Sequence, residues 1–265
     1  MVRLGFGVAA AMLVAAPALA ADLPASYPAA PPPSGSPVYS GQSMMTADVS
    51  LALGWAGQDW TVNSDSFSGF VGGRVNIPFG GGWNEELEAN GGFMFNGNGS
   101  AAGVFSHTYY KTQGWAGGLL LGYSWLNPGG SGASVGTVGV EGVVFLPSAS
   151  VLGKVAWSGG GSGAIDDFWN VGVEGRYYFE PNTKLTGAID YYSTDPDAWQ
   201  FTAALEHRWS GSPFSAFVSG TYVTADNNNM WGILVGARWA FDQPGSTLQS
   251  HDYEIPFAAS PAFHL

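Results

Sequence analysis

The sequence predicts an all-β protein, a closed antiparallel transmembrane β-barrel of about twelve strands. Three observations lead to this fold class. From Thr46 onward, apolar and polar residues alternate with a period of two. Aromatic residues recur about ten positions apart on the apolar face. Only 11% of the residues are charged, yet no apolar run beyond the N-terminus is long enough for a membrane-spanning helix.

The alternation is clear between Trp199 and Trp209. Odd positions in this stretch are mostly apolar, whereas even positions carry Gln200, Glu206 and Arg208. Successive side chains of a strand point to opposite faces, so the stretch has one apolar and one polar face. The stretches 169–179 and 231–241 repeat the pattern.

Aromatic residues at both ends of the apolar face distinguish a barrel in lipid from a soluble β-sandwich, which also alternates. Ten residues at ~3.3 Å each, tilted by ~40°, span ~25 Å, the height of the apolar band of an outer-membrane barrel. A sandwich core has no reason to carry Trp at both rims. The predicted girdles comprise Trp55, Trp115, Trp125, Trp169, Phe179, Trp199, Trp209, Trp231, Trp239 and Phe241.

Turn residues divide the region 44–241 into twelve predicted strands. The strands are 44–57, 66–79, 83–95, 100–111, 114–126, 134–146, 150–158, 167–180, 183–193, 198–210, 213–223 and 230–241. Short Gly- and Pro-containing turns alternate with polar connections that tend to be longer, as in outer-membrane barrels, whose short turns face the periplasm. If 100–111 and 150–158 are not strands, the barrel has ten.

The chain ends lie outside the predicted barrel. Arg3, an apolar run and Ala18-Leu19-Ala20 predict a signal peptide over 1–20, cleaved near Ala20. The Pro- and Ala-rich stretch 21–43 is predicted to be a periplasmic linker, and 242–265 a polar C-terminal tail. Together with the barrel, the leader predicts the outer membrane of a Gram-negative bacterium.

The polar face is predicted to line the lumen with charges of both signs. Its acids are Asp48, Glu86, Glu88, Glu141, Glu174, Asp190 and Glu206, and its bases are Arg74, Lys154, Arg176, Arg208 and Arg238. Seven acids against five bases leave a net charge of −2, which favours cations weakly. Buried charges require partners, so ion-pair networks are expected, with Glu206 and Arg208 in one of them.

Inward glycines at nine positions predict free space in a small lumen. They are Gly54, Gly72, Gly92, Gly118, Gly122, Gly139, Gly172, Gly232 and Gly236. The favoured function is therefore a narrow passive diffusion channel for small solutes or ions. A non-conducting structural barrel of the cell envelope is the alternative, and a lipid-modifying hydrolase is a distant one.

Composition argues against most other functions. The chain has no cysteine and only 8 Lys and Arg, so thiolate chemistry is excluded and nucleic acid is not an expected partner. Ser106 and His107 are adjacent and so point to opposite faces, which disfavours an enzyme. Four scattered His predict no metal site, and Asp195-Pro196-Asp197 and 226–229 match no full calcium loop. No cofactor is expected.

Several segments resemble the porin-like, small outer-membrane β-barrel proteins of Alphaproteobacteria. They are the cleaved start 18–24, the turn 177–182, the turn Gly211-Ser212-Pro213-Phe214 and the final strand 232–241. The resemblance covers about 44–250. It implies assembly by the barrel-assembly machinery, with Phe241 as the terminal signal, and contact with outer-membrane lipid, including lipopolysaccharide. Unlike many such barrels, this chain continues for 24 residues beyond Phe241. The oligomeric state is left open.

Overall fold

The described residues form a closed barrel of twelve antiparallel strands followed by one short helix. The computed structural model describes residues 45–58, 66–94, 99–128, 132–159, 166–226, 228–243 and 245–257. The predicted leader and linker lie outside these ranges. The strands are β1 (Thr46–Gln58), β2 (Ser66–Gly80), β3 (Trp83–Met94), β4 (Gly99–Lys111), β5 (Trp115–Pro128), β6 (Ala133–Leu146), β7 (Ala149–Gly159), β8 (Phe168–Glu180), β9 (Thr183–Tyr192), β10 (Ala198–Arg208), β11 (Phe214–Ala225) and β12 (Asn228–Phe241).

Each strand pairs with its neighbours in sequence, and β1 closes the barrel against β12. The closing pair runs from Ala47 opposite Phe241 to Gln58 opposite Met230. Closure leaves no strand edge unpaired, which is the condition for a sheet in lipid. The prediction of twelve strands is confirmed, and the ten-strand alternative is excluded.

The two ends of the barrel differ, and we call them the turn end and the loop end. The turn end carries the tight connections after β2, β4, β6, β8 and β10, together with the start of β1 and the end of β12. Gly80, Gly81 and Gly82 form the first of these turns with φ of 91°, 62° and 91°, which only glycine adopts without strain. At the loop end, most connections lie partly outside the described residues.

The apolar face points outward. Leu119, Leu121 and Val140 are about half exposed on the wall, as lipid-facing side chains are. The girdle residues also face outward: Trp115, Phe179, Trp209, Trp239 and Phe241 stand at the turn end, and Trp55, Trp125, Trp169, Trp199 and Trp231 at the loop end. One acid interrupts this surface, since Glu85 accepts hydrogen bonds from the hydroxyls of Ser106 and Thr108.

After β12 the chain turns back toward the lumen and forms α1 (Leu248–Glu254). Thr247 caps this helix, because its side chain accepts a hydrogen bond from Ser250 N and the Ser250 hydroxyl accepts one from Thr247 N. Leu248, Ile255 and Phe257 are at most 1% exposed. Several residues of the predicted polar tail are therefore buried, whereas Gln243, Gly245 and Ser250 are exposed. Within the described part of the chain, no helix is long and apolar enough to cross a bilayer.

Candidate functional site: the lumen and the C-terminal segment

All twelve charged residues predicted for the inner face lie on it. Three further basic residues share that face: His107 and Lys111 on β4, and Lys184 on β9. The alternation of the strands could have identified the two lysines. Lys184 is an even number of positions from Asp190, and Lys111 from His107, so each pair shares one face of its strand. Counting the two lysines, the wall carries seven acids and seven bases, so the predicted excess of negative charge is absent from the described wall.

Part of the lumen is tightly packed, and part of its inner wall is accessible to solvent. Phe105, Leu120 and Ala156 form a cluster on β4, β5 and β7 in which no residue is more than 3% exposed. On β9 to β12 the inward side chains at middle height are only half-buried, namely Thr186, Ala188, Thr202, Ala204, Ser219 and Leu234. Solvent therefore reaches the inner wall along these four neighbouring strands.

Aromatic rings fill space that the inward glycines were expected to leave open. A Cβ atom on Gly122 would lie 2.1 Å from Cδ1 of Phe105, and one on Gly236 would lie 2.4 Å from Cζ of Phe217. Phe70 covers Gly72 in the same way. The expectation of free space was therefore wrong at these three positions, because each glycine accommodates a ring from a neighbouring inward position.

Ion pairs connect the inward charges of β1 to β6. Arg74 Nη2 is 2.6 Å from Oδ2 of Asp48, and Arg74 Nη1 is 3.7 Å from Oε1 of Glu86. His107 Nδ1 is 2.7 Å from Oε1 of Glu141, and its Nε2 is 3.8 Å from Glu88. These groups are nearly all buried, so each compensates the desolvation of its partner.

A second set of pairs lies on β7 to β12. Lys154 Nζ is 2.9 Å from Asp190, and Arg176 Nε is 2.6 Å from Glu174. Glu206 is 3.2 Å from Lys184 Nζ and 3.4 Å from Arg238 Nη1. The wall therefore contains the expected ion-pair networks.

The expected inclusion of Glu206 and Arg208 in one network was wrong. Arg208 donates from Nη1 and Nη2 to the two oxygens of Asp242, over 2.7 and 2.8 Å. This partner lies in the chain after β12, whose course the strand pattern does not predict. The bidentate geometry matches the planar guanidinium to the carboxylate.

The chain after β12 crosses the lumen at the turn end. We call residues 242, 243 and 245–257 the C-terminal segment. Its helix contacts β8 and β9: Asp252 Oδ2 accepts hydrogen bonds from Tyr178 over 2.9 Å and from Lys184 over 2.6 Å. The residues after the helix contact β2, where Arg74 Nη1 donates to the Phe257 carbonyl over 2.8 Å. Because β2 and β8 are six strands apart in the ring of twelve, the segment spans the full width.

Charged contacts hold the segment along its length. Lys111 Nζ is 2.6 Å from Glu254 Oε2, and His251 lies between Asp48 at 3.0 Å and Asp242 at 3.1 Å. Backbone contacts add to these, since Gln249 N donates to the Pro181 carbonyl over 2.9 Å. Phe257 stacks on His107 with ring centroids 5.8 Å apart. The segment is thus bound by both side chains and turns of the barrel.

The electrostatics of the segment favour its charged form. Burial raises the pKa of Asp252, but Lys184, Arg176 and Arg238 outweigh this and hold the pKa below its ordinary value. For Asp242, burial likewise raises the pKa, but hydrogen bonds from Arg208 and His251 outweigh this and hold the pKa below its ordinary value. Burial lowers the pKa of His251, whereas its bonds to Asp242 and Asp48 raise it above the ordinary value overall.

The structure separates Ser106 from His107, and its described residues contain no metal-binding cluster. Ser106 faces outward and binds Glu85, whereas His107 faces inward and binds Glu141, so this Ser and His are on opposite sides of the wall. His207 also faces outward, with its ring against Trp209. In the ranges that the structure describes, no three His, Asp or Glu side chains are arranged to hold a metal ion.

Comparisons with known proteins identify the fold. The chain matches no family model, and no curated protein matches it. Solved structures do match. An outer membrane channel from Pseudomonas putida F1 superposes with a TM-score of 0.53 at 13% identity, over 74% of this chain and 95% of that one.

The KdgM porin in complex with disordered oligogalacturonate gives a TM-score of 0.51 at 13% identity, over 73% of this chain and 99% of that one. KdgM porin alone gives 0.50 at 12% identity, with the same coverage. The chain therefore has the fold of these outer-membrane barrels.

Proposed function

We propose that this protein is a narrow passive diffusion channel in the outer membrane of a Gram-negative bacterium, with its turn end toward the periplasm. The observation that carries the proposal is the solvent-accessible inner wall of β9 to β12. Small or polar side chains, including Thr202, Ala204 and Ser219, are half-buried there, whereas the packed cluster of the lumen lies on β4, β5 and β7. A twelve-strand barrel lies between the filled eight-strand barrels and the open sixteen-strand porins.

Chemistry and fold both support a channel over an enzyme. The described inner wall presents ion pairs, hydroxyls and apolar side chains, and the Ser106 and His107 pair considered for nucleophilic catalysis is split between the two faces. The outer-membrane barrels with the same fold include a channel and a porin by name. A leader peptide, as predicted for 1–20, would deliver the chain to the periplasm, where the barrel-assembly machinery inserts it.

A non-conducting structural barrel is the second candidate. The C-terminal segment favours it, because this segment crosses the lumen at the turn end between Tyr178 on β8 and Arg74 on β2. Conductance must therefore be measured both on the full chain and on a chain that ends at Gln243.

The test is single-channel recording in planar bilayers. The substitution Ala204→Trp narrows the accessible side of the lumen and is expected to lower conductance. Ala203→Trp is the matched control. Ala203 is next to Ala204 on the same strand but its side chain faces outward, so this substitution should leave conductance unchanged. Absence of conductance from both the full and the shortened chain would overturn the channel proposal and leave the structural barrel.

A further inference from the structure

The basic residues of this protein are concentrated where the C-terminal segment binds. Five of the seven Lys and Arg residues in the described ranges contact the C-terminal segment, which includes Asp242. They are Arg74, Lys111, Lys184, Arg208 and Arg238. These residues belong to five different strands, namely β2, β4, β9, β10 and β12. The cations therefore converge on the turn end of the lumen from around the barrel.

The segment offers carboxylates to these cations. Asp252 forms an ion pair with Lys184 and lies 3.8 Å from Arg238. Glu254 pairs with Lys111, and Asp242 pairs with Arg208. Three wall acids compete for the same cations, since Glu206 approaches Lys184 and Arg238, and both Asp48 and Glu86 approach Arg74. Removing the segment would thus free Lys111 and leave Lys184 and Arg238 to share Glu206.

Arg238 has capacity for a further anion. Its Nε and Nη1 atoms are buried and form no hydrogen bond within the described structure. Nη1 lies 3.4 Å from Glu206 and 3.8 Å from Asp252, beyond hydrogen-bond distance for the latter. A carboxylate placed closer than Asp252 would gain a charge-assisted hydrogen bond.

From this convergence we infer that the turn end of the lumen is a carboxylate-binding site, which the protein's own C-terminal segment occupies, and that small organic anions bind there when the segment leaves. The inference rests on the proposed channel function for its role in permeation. The segment is then an internal plug, and the solute class of the unplugged lumen is anionic rather than cationic.

Binding is tested without reference to conductance. A chain ending at Gln243 is titrated with a fluorescently labelled synthetic peptide of residues 244–265, and binding is followed by anisotropy. The peptide is expected to bind and to be displaced by citrate but not by chloride at equal ionic strength. An Asp252→Asn peptide should bind about tenfold more weakly or worse, because it leaves buried Lys184 without its closest partner. Failure of the peptide to bind, or displacement equally by chloride, overturns the inference.

Permeation is tested on the same shortened chain. Its conductance should exceed that of the full chain, and its reversal potential in a KCl gradient should shift toward the equilibrium potential of chloride. In the full chain, Asp252→Asn should raise conductance. Glu180→Gln is the control, because Glu180 is an exposed acid at the same end. If all four proteins conduct alike, the plug is refuted and the channel stands. If none of the four conducts, the proposed channel function is wrong, and the peptide-binding experiment still tests the carboxylate-binding site.

A reversible cross-link covers the case in which the shortened chain does not fold. The hydrogen bond from Gln249 N to the Pro181 carbonyl is 2.9 Å, so the two Cα atoms lie within roughly 7 Å, close enough for a disulfide. The chain has no native cysteine, which makes Pro181→Cys with Gln249→Cys a unique pair. The oxidised form should conduct less than the same protein after reduction. Equal conductance of the two forms would show that the segment does not block the lumen.

Discussion

His251 Nε2 lies 3.0 Å from Oδ2 of Asp48, a residue 203 positions earlier in the chain. Its other ring nitrogen, Nδ1, is 3.1 Å from Asp242. The imidazole therefore connects the first strand of the barrel to the chain that follows the last strand, and it contacts a carboxylate on each of them. Each of these carboxylates also pairs with an arginine, Asp48 with Arg74 and Asp242 with Arg208. Asp252 on the helix adds a further negative charge near His251.

This arrangement predicts that raising the pH above the ordinary imidazole pKa loosens the C-terminal segment. The pKa of His251 is raised above its ordinary 6.5 when the segment is bound, so the protonated ring stabilises binding below that value. The contribution is lost as the pH rises through the raised pKa. Single-channel recordings should show conductance increasing as the pH rises through this raised pKa.

His251→Gln supplies the control for the pH effect. Gln keeps a hydrogen-bonding side chain but does not titrate, so the increase should be absent or much smaller in this variant. At the acidic side, the pKa values of Asp242 and Asp252 are lowered. Their contribution is present above the ordinary carboxyl pKa and disappears only as the pH falls through the lowered values, in strong acid. Identical pH profiles for parent and variant would contradict the role assigned to His251.

Arg208 and Asp242 are expected to be energetically coupled. Each single change to Ala leaves the other charge without its main partner, at a cost of ~3–5 kcal/mol if the survivor stays buried. The double variant should cost less than the sum, with a coupling of ~1–3 kcal/mol in urea unfolding. Glu206→Ala with Arg208→Ala is the comparison, because Glu206 pairs with Lys184 and Arg238 instead. Strict additivity of Arg208 and Asp242 would contradict the structure.

The lipid-facing surface is tested by an arginine on each face. Leu121 is 52% exposed on the outer wall, and Arg at the middle of the lipid face costs ~2–4 kcal/mol. We expect Leu121→Arg to impair folding into liposomes, measured by the mobility shift of unheated samples in gels. Ala204→Arg, on the inner face, should fold more readily. Equal folding of the two variants would mean that the faces are assigned wrongly.

The ring of Phe105 should make Gly122 intolerant of any side chain. Since a Cβ at Gly122 would fall 2.1 Å from that ring, Gly122→Ala is expected to destabilise the barrel by ~1–3 kcal/mol. Gly175→Ala is the matched control, because no neighbouring atom lies within 4 Å of the added Cβ there. Urea unfolding in lipid vesicles measures both. A loss at Gly175 as large as that at Gly122 would indicate a general cost of replacing glycine rather than overpacking.

The orientation of the barrel follows from which end carries the short turns. A protease-cleavable tag inserted at Asn228, at the loop end, is expected to be cut on intact cells. The same tag at Gly81, in the tight turn after β2, should be protected until the outer membrane is opened. Gly81 suits the insertion because no atom lies within 4 Å of a Cβ built there. The opposite cleavage pattern would show that the turn end faces outward.

The sequence by itself determined the barrel. A strand in lipid must place apolar side chains on one face and satisfy its backbone through neighbouring strands, so periodicity, girdles and turn residues are all local signals. The same parity places Glu174 and Arg176 together on the inner face, and their ion pair of 2.6 Å forms within one strand. Such features need no knowledge of distant contacts.

Only the tertiary structure decided what fills the lumen. The residues after Phe241 have no alternation to predict their course, and their position depends on partners such as Asp48, Arg74 and Lys184, which lie far away in sequence. For the same reason the partner of Arg208 is Asp242 rather than a charge of the wall. Whether an inward glycine leaves space or accommodates a ring, as Gly122 does with Phe105, depends on side-chain rotamers of the neighbouring strand. Faces are fixed by a strand's own geometry, whereas partners across a lumen are fixed by closure of the whole barrel.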